Sequence, residues 1–101
     1  MEARYVISPY DHVIRNISER EGNDWRLMSA IAYHESRFKA DIVSRRGARG
    51  LMQIMPAVAR QFDVASEEAL LDPETNVLLA NKVWNRIDST LDLPAGDTEK
   101  D

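Results

Sequence analysis

Apolar residues recur at steps of three and four along several stretches of the chain, the spacing of helices that bury one face. Tyr10, Val13, Ile14 and Ile17 form the first such stripe. Ser8-Pro9-Tyr10-Asp11 ahead of it reads as a helix start. Ser8 can accept from free N–H groups, Pro9 suits a first helical position, and Asp11 completes an approximate capping box. Gly22 ends this helix, and Asn23 or Asp24 caps a second, predicted from about Trp25 to Arg37. Its stripe is Met28, Ile31, Ala32 and, one turn on, Glu35, with Phe38 just beyond.

Lys39–Gly50 has no helical period and contains Ser44, Gly47 and Gly50, so it reads as a loop or a short irregular hairpin. Leu51–Met55 is an apolar run broken only by Gln53. Pro56 disfavours helix at Met55 and is placed to open one through about Phe62. Gln53 therefore sits in a constrained segment from which an amide can point into a cleft. Val64–Leu71 holds a short helical turn capped by Ser66, with Glu67 and Glu68 in its first turn. Asp72-Pro73-Glu74 then starts the longest element, whose stripe of Val77, Ala80, Trp84, Ile87 and Leu91 is core by default. Trp25 and Trp84, at helical spacing, are assigned to the core as well, with stacking on a sugar as the alternative. Residues 1–93 read as one all-α unit, preceded by a lead-in over Met1–Ile7, and residues 94–101 as a polar, disordered tail.

Composition narrows the chemistry. A net charge of −4 and a pI near 5.1 weigh against nucleic acid as a partner. No apolar run approaches the ~20 residues of a membrane span. The absence of cysteine removes disulfides, thiolate nucleophiles and cysteine-based zinc sites and leaves the compartment open. His12 and His34 are the only histidines, so neither a metal nor a cofactor is expected. The basic residues are locally concentrated, with Arg45, Arg46 and Arg49 in one short loop that is either solvated or in contact with an anionic ligand.

Glu35 is the residue that stands out, because the helical period puts a carboxylate on a face expected to be buried. It either caps or pairs with a neighbouring arginine at the edge of the core, or serves as a general acid that holds its proton because burial disfavours the charged form. Cleavage of a glycosidic bond needs such a proton on the leaving oxygen, and most glycosidases add a second carboxylate. Asp41 and Asp63 are off the apolar stripes and read as solvated. A single-carboxylate mechanism needs a substrate that supplies its own nucleophile.

Glu35-Ser36, then Ser44, then Gly47-Ala48-x-Gly50-Leu51-Met52-Gln53-Ile54-Met55-Pro56 resembles the lytic transglycosylases and goose-type lysozymes, which cleave the glycan strands of peptidoglycan. Asp72-Pro73-Glu74-x-Asn76 is similar to the family's helix start, and Trp25–Tyr33 looks like the membrane-bound lytic murein transglycosylase F type. The resemblance implies a lysozyme-like helical domain acting in the periplasm or cell envelope on peptidoglycan. It implies Glu35 as acid and then base, with the N-acetyl group assisting departure and the 6-hydroxyl closing a 1,6-anhydro ring without water. It places Ser44 near the glutamate and the acetamido group, and Ser36, Gln53 and Met55 along the saccharide cleft. If the arginine loop meets an anionic ligand instead of solvent, the carboxylates of a peptidoglycan stem peptide are an example of one. The family's later Ala-Tyr-Asn motif is not found: the tyrosines are Tyr5, Tyr10 and Tyr33. A partial domain is therefore expected, with exposed apolar surface that a homodimer could bury. A hydrolytic muramidase and a non-catalytic glycan-binding module are the competing readings.

Overall fold

The computed structural model of the chain describes residues 6–91. In order along the chain come α1 (Asp11–Arg20), α2 (Trp25–Ser36), α3 (Pro56–Gln61), a 3-10 turn (Glu68–Leu71) and α4 (Pro73–Leu91). The all-α expectation holds. The irregular hairpin between α2 and α3 is present as isolated bridges that pair Val43 with Arg49 and Arg49 with Ile54.

The helix starts follow from the side chains expected to make them. Asp11 accepts from the N–H groups of Ile7 and Ser8, both at 2.8 Å, while the Ser8 hydroxyl accepts from Tyr10 N–H at 3.0 Å. The regular helix begins at Asp11, two residues after Pro9, because the first turn is closed by these side chains. Asp24 caps α2 through Arg26 N–H at 2.9 Å, Ser66 accepts from Ala69 N–H at 3.2 Å, and Asp72 caps α4 through Thr75 N–H at 3.0 Å. At the far end of α2 the chain reverses through two consecutive left-handed residues, Arg37 (φ 57°) and Phe38 (φ 63°). The Tyr33 ring steadies this reversal, with the Arg37 guanidinium 4.9 Å above it and the Phe38 ring 5.7 Å away.

α1 packs against both α2 and α4, and the 3-10 turn packs against α4. Ile14, Ile17, Met28, Ala32, Leu51, Met52, Ile54, Leu70 and Val77 are among the buried residues of the core they enclose. The stripe predicted for α4 is only partly inside: Val77 and Ala80 are buried, Trp84 is half-buried and Ile87 is exposed. Besides Leu79, what α4 buries instead is polar. Asn81 accepts from Asn23 Nδ2 at 2.8 Å and donates to the Ser18 hydroxyl at 3.3 Å and the Val77 carbonyl at 2.9 Å. One turn on, Asn85 donates to the Glu21 carbonyl at 3.2 Å. The α1–α4 seam thus holds amides whose hydrogen bonds are satisfied, and the apolar flank of α4 turns outward. Trp25 is also only half-buried, with the guanidinium groups of Arg15 and Arg26 at 5.7 and 5.5 Å from its ring. The tail assigned to 94–101 and the side chain of Leu91 lie outside the described residues. Among the described residues no helix is long and apolar enough to cross a membrane.

Candidate active site

The candidate site is built around the backbone from Arg49 to Met55. Gly50 turns at φ 83° with its Cα packed so closely that an added Cβ would collide with the Asn76 amide and the Leu70 carbonyl. Asn76, fully buried on α4, holds the turn from within. Its oxygen accepts from Met52 N–H at 2.6 Å, and its nitrogen donates to the carbonyls of Arg49 and Leu70, each at 2.8 Å. The sequence marked Asn76 only as part of a helix start. An asparagine on the inward side of a helix was the available signal, since an amide there must find partners. Past this anchor, Gln53 adopts φ 54°, a left-handed conformation that a non-glycine residue keeps only when its surroundings enforce it. Its side-chain nitrogen donates to the carbonyls of Gly50 at 2.9 Å and Ile42 at 3.4 Å, so the amide braces the loop. The amide nitrogen is thus held by the loop, while Gln53 as a whole lines the groove beside it.

Beside this loop lies a groove of about 370 Å³, lined by Glu35 and Ile31 of α2, Gln53 and Met55 of the loop, and Trp84 and Ile87 of α4, among others. The outward apolar flank of α4 is one wall of it. Two side chains assigned to the core from sequence, Trp84 and Ile87, are therefore wall residues. Glu35 stands in this lining and is exposed. That overturns the expectation of a buried carboxyl. The inward stripe of α2 is Met28, Ser29, Ala32 and Ser36, and the helical turn swings Glu35, with Ile31, to the flank of that stripe at the groove's edge.

The remaining residues sit elsewhere. Ser36 is buried, donating to the Ala32 carbonyl at 3.1 Å and accepting from Lys39 N–H at 3.2 Å, so its hydroxyl closes the end of α2 beneath the surface. Ser44 is exposed in the hairpin, where its hydroxyl accepts from Ala48 N–H at 3.1 Å, and it does not line the groove. Of the five positions singled out, the structure brings Glu35, Gln53 and Met55 to one surface and leaves Ser36 and Ser44 off it. Among the described residues no group of three histidine or acidic side chains is placed to hold a metal ion.

The structure is a helical domain with one carboxylate at the rim of an apolar groove, and comparison with known proteins gives its class as lysozyme-like. The Transglycosylase SLT domain family matches residues 12–93, and the chain belongs to that family. The membrane-bound lytic murein transglycosylase F of Pseudomonas putida is 31% identical over 83 residues, covering 82% of this chain and 16% of that protein. Its counterpart in Alteromonas mediterranea is 35% identical over 75 residues, 70% of this chain and 16% of the relative. Among solved structures, the 70-kDa soluble lytic transglycosylase of Escherichia coli superposes with a TM-score of 0.72 at 28% identity, over 81% of this chain and 14% of that one. An inactive variant of the lytic transglycosylase Slt of Pseudomonas aeruginosa gives 0.72 at 28% identity, over 83% and 15%. The chain thus spans about one sixth of the length of these relatives.

Proposed function

We propose that this chain is the glycan-cleaving unit of a peptidoglycan lytic transglycosylase of the cell envelope, with Glu35 as its acid and base. The observation that carries the reading is a single carboxylate sharing one groove with Gln53 and Met55 in a chain of the transglycosylase SLT domain family. A glycan strand laid over the groove takes water away from Glu35, the condition under which a carboxyl group keeps its proton. Glu35 then delivers that proton to the glycosidic oxygen as the bond from C1 breaks, while the 2-acetamido oxygen of N-acetylmuramic acid closes on C1. The resulting carboxylate takes the proton of the 6-hydroxyl, whose oxygen displaces the acetamido oxygen and completes the 1,6-anhydro ring. No water enters, which suits a site with no second acidic side chain in its lining. Met55 and Trp84 supply apolar surface for the sugar faces. Ser44 and Ser36 hold the hairpin and helix end that border the site.

Digestion of purified peptidoglycan followed by mass spectrometry tests this. Anhydro-muramic ends from the native chain and none from Glu35→Gln are expected. Reducing ends would assign a hydrolase instead. Unchanged product from Glu35→Gln would remove this residue from the chemistry.

A further inference from the structure

Charge is unevenly divided along the chain. Residues 37–49 carry five basic side chains, Arg37, Lys39, Arg45, Arg46 and Arg49, against Asp41 alone, a net of +4 in a chain of −4, which leaves −8 on all the other residues together. Two of the five are engaged within the fold. Arg49 pairs with Glu67 at 2.9 Å and donates to the Gly47 carbonyl at 2.8 Å, and Arg37 lies on Tyr33. Arg45 and Arg46 are exposed and have no ion-pair or hydrogen-bond partner among the described residues.

The backbone that carries these two is tightly fastened. Gly47 N–H donates to the Ser44 carbonyl at 2.9 Å, closing a four-residue turn with Arg45 and Arg46 at its corners. Ser44 N–H donates to the Ala48 carbonyl at 2.8 Å, and the Ser44 hydroxyl accepts from Ala48 N–H at 3.1 Å. The base of the hairpin is tied to the groove wall through the Ile42 carbonyl, which accepts from Gly50 N–H at 3.0 Å and from the Gln53 amide at 3.4 Å. Two like charges held side by side on a braced turn repel each other and gain nothing inside the fold. Their backbone, however, is already ordered, which lowers that part of the entropy lost on binding an anion.

We infer that Arg45 and Arg46 bind carboxylates of the short acidic peptides carried by the glycan strand in the groove. The inference rests on the proposed function and adds the part of the substrate that lies outside the sugar groove. A guanidinium group presents paired N–H donors that match a carboxylate oxygen for oxygen, and two adjacent arginines offer two such forks. A broad anionic surface such as a membrane fits less well, because it would face the net −8 of the other residues as well as the two arginines. Isolated carboxylates hanging from a strand meet only the turn.

Affinity for soluble glycan strands, either freed by cutting only the peptide cross-links and so still bearing their peptides, or stripped of peptides by an amidase, reads the inference directly. The native chain should bind peptide-bearing strands about tenfold more tightly than stripped ones, the scale of two exposed charge pairs, and added salt should shrink the difference. Arg45→Ala/Arg46→Ala should bind both at the stripped level. Arg20→Ala/Arg60→Ala, which changes net charge equally on α1 and α3, should keep the preference. Equal binding of the native chain to both kinds of strand, or a preference retained by Arg45→Ala/Arg46→Ala, would overturn the inference. So would binding to phosphatidylglycerol vesicles that depends on these arginines without any preference among strands. Anhydro products from a chain that ignores the peptides would overturn this inference alone, whereas no binding to either kind of strand would overturn the proposed function with it.

Discussion

Asn76 offers the sharpest test of how the site is held. Replacing it by alanine removes three hydrogen bonds, to Met52 N–H and to the Arg49 and Leu70 carbonyls. The Arg49 carbonyl retains Ile54 N–H at 3.0 Å, so the loss falls chiefly on the Met52 N–H and the Leu70 carbonyl, beside residues that are buried. With about 1–3 kcal/mol for each buried group left unpaired and about 1 kcal/mol for the third bond, the expected loss is about 3–5 kcal/mol. That is a large share of the roughly 5–15 kcal/mol that holds a domain folded. With a denaturant slope of about 1.5 kcal/mol/M, the midpoint of urea unfolding followed by circular dichroism should fall by about 2 M or more. Asn76→Asp gives a second reading with a definite sign. It keeps an acceptor for Met52 N–H but turns a carboxylate oxygen toward two carbonyls. The folded state then favours the protonated form, so stability is present at low pH and is lost as pH rises through the raised folded value. This variant should be more stable at about pH 5 than at about pH 8. A midpoint shift below about 0.5 M for Asn76→Ala with an unchanged slope would refute the claim that this amide organises the loop.

Gly50→Ala should lower the melting temperature by about 10 °C or more, since a new Cβ meets backbone as well as a side chain. Gly22→Ala, at φ 82° but with nothing near its Cβ, should lower it by about 5 °C. Equal losses at the two glycines would mean that conformation alone, without the close approach, explains Gly50. Ser29 is buried and its hydroxyl has no hydrogen-bond partner among the described residues, so Ser29→Ala should raise stability by about 1 kcal/mol, readable as a melting shift of about 5 °C. A decrease would show that the hydroxyl is in use. Ile87→Glu puts a charge on the groove wall away from Glu35's helix. It should weaken binding of glycan strands while leaving the melting temperature within about 2 °C, because the native side chain is 47% exposed. If the homodimer expected from sequence buries this wall, the same variant should shift sedimentation toward the monomer.

The helices were legible because their starts are written in side chains. Asp24 and Asp72 cap where a cap was expected, Ser8 with Asp11 and Ser66 close the turns that lead into α1 and the 3-10 turn, and Pro56 opens α3 as its fixed backbone angle requires. The hairpin was legible in the glycines and in the loss of helical period. Burial was harder to read. A stripe at steps of three and four tells which residues share a side of a helix, but not which neighbour, if any, covers that side. Hence Ile87 was placed in the core when it lines an open groove, Trp84 packs on the core with one side and lines that groove with the other, and Glu35 was placed under cover when it stands at the rim. The buried amides Asn76 and Asn81 escaped for the converse reason: their partners lie far along the chain, at Arg49 and Met52 for one and at Ser18 and Asn23 for the other. Left-handed backbone at Arg37, Phe38 and Gln53 carried no signal at all, since none is a residue that prefers it.

The reach of Asn76 bears on when a newly made chain acquires its groove. The Met52 and Arg49 backbone it grips was synthesised 24 and 27 residues earlier. Until α4 has emerged from the ribosome and docked, that earlier stretch has only its own local hydrogen bonds and lacks the buried amide that holds the Met52 N–H and the Arg49 carbonyl. Maturation of the groove is thereby coupled to completion of the helix that carries its clasp.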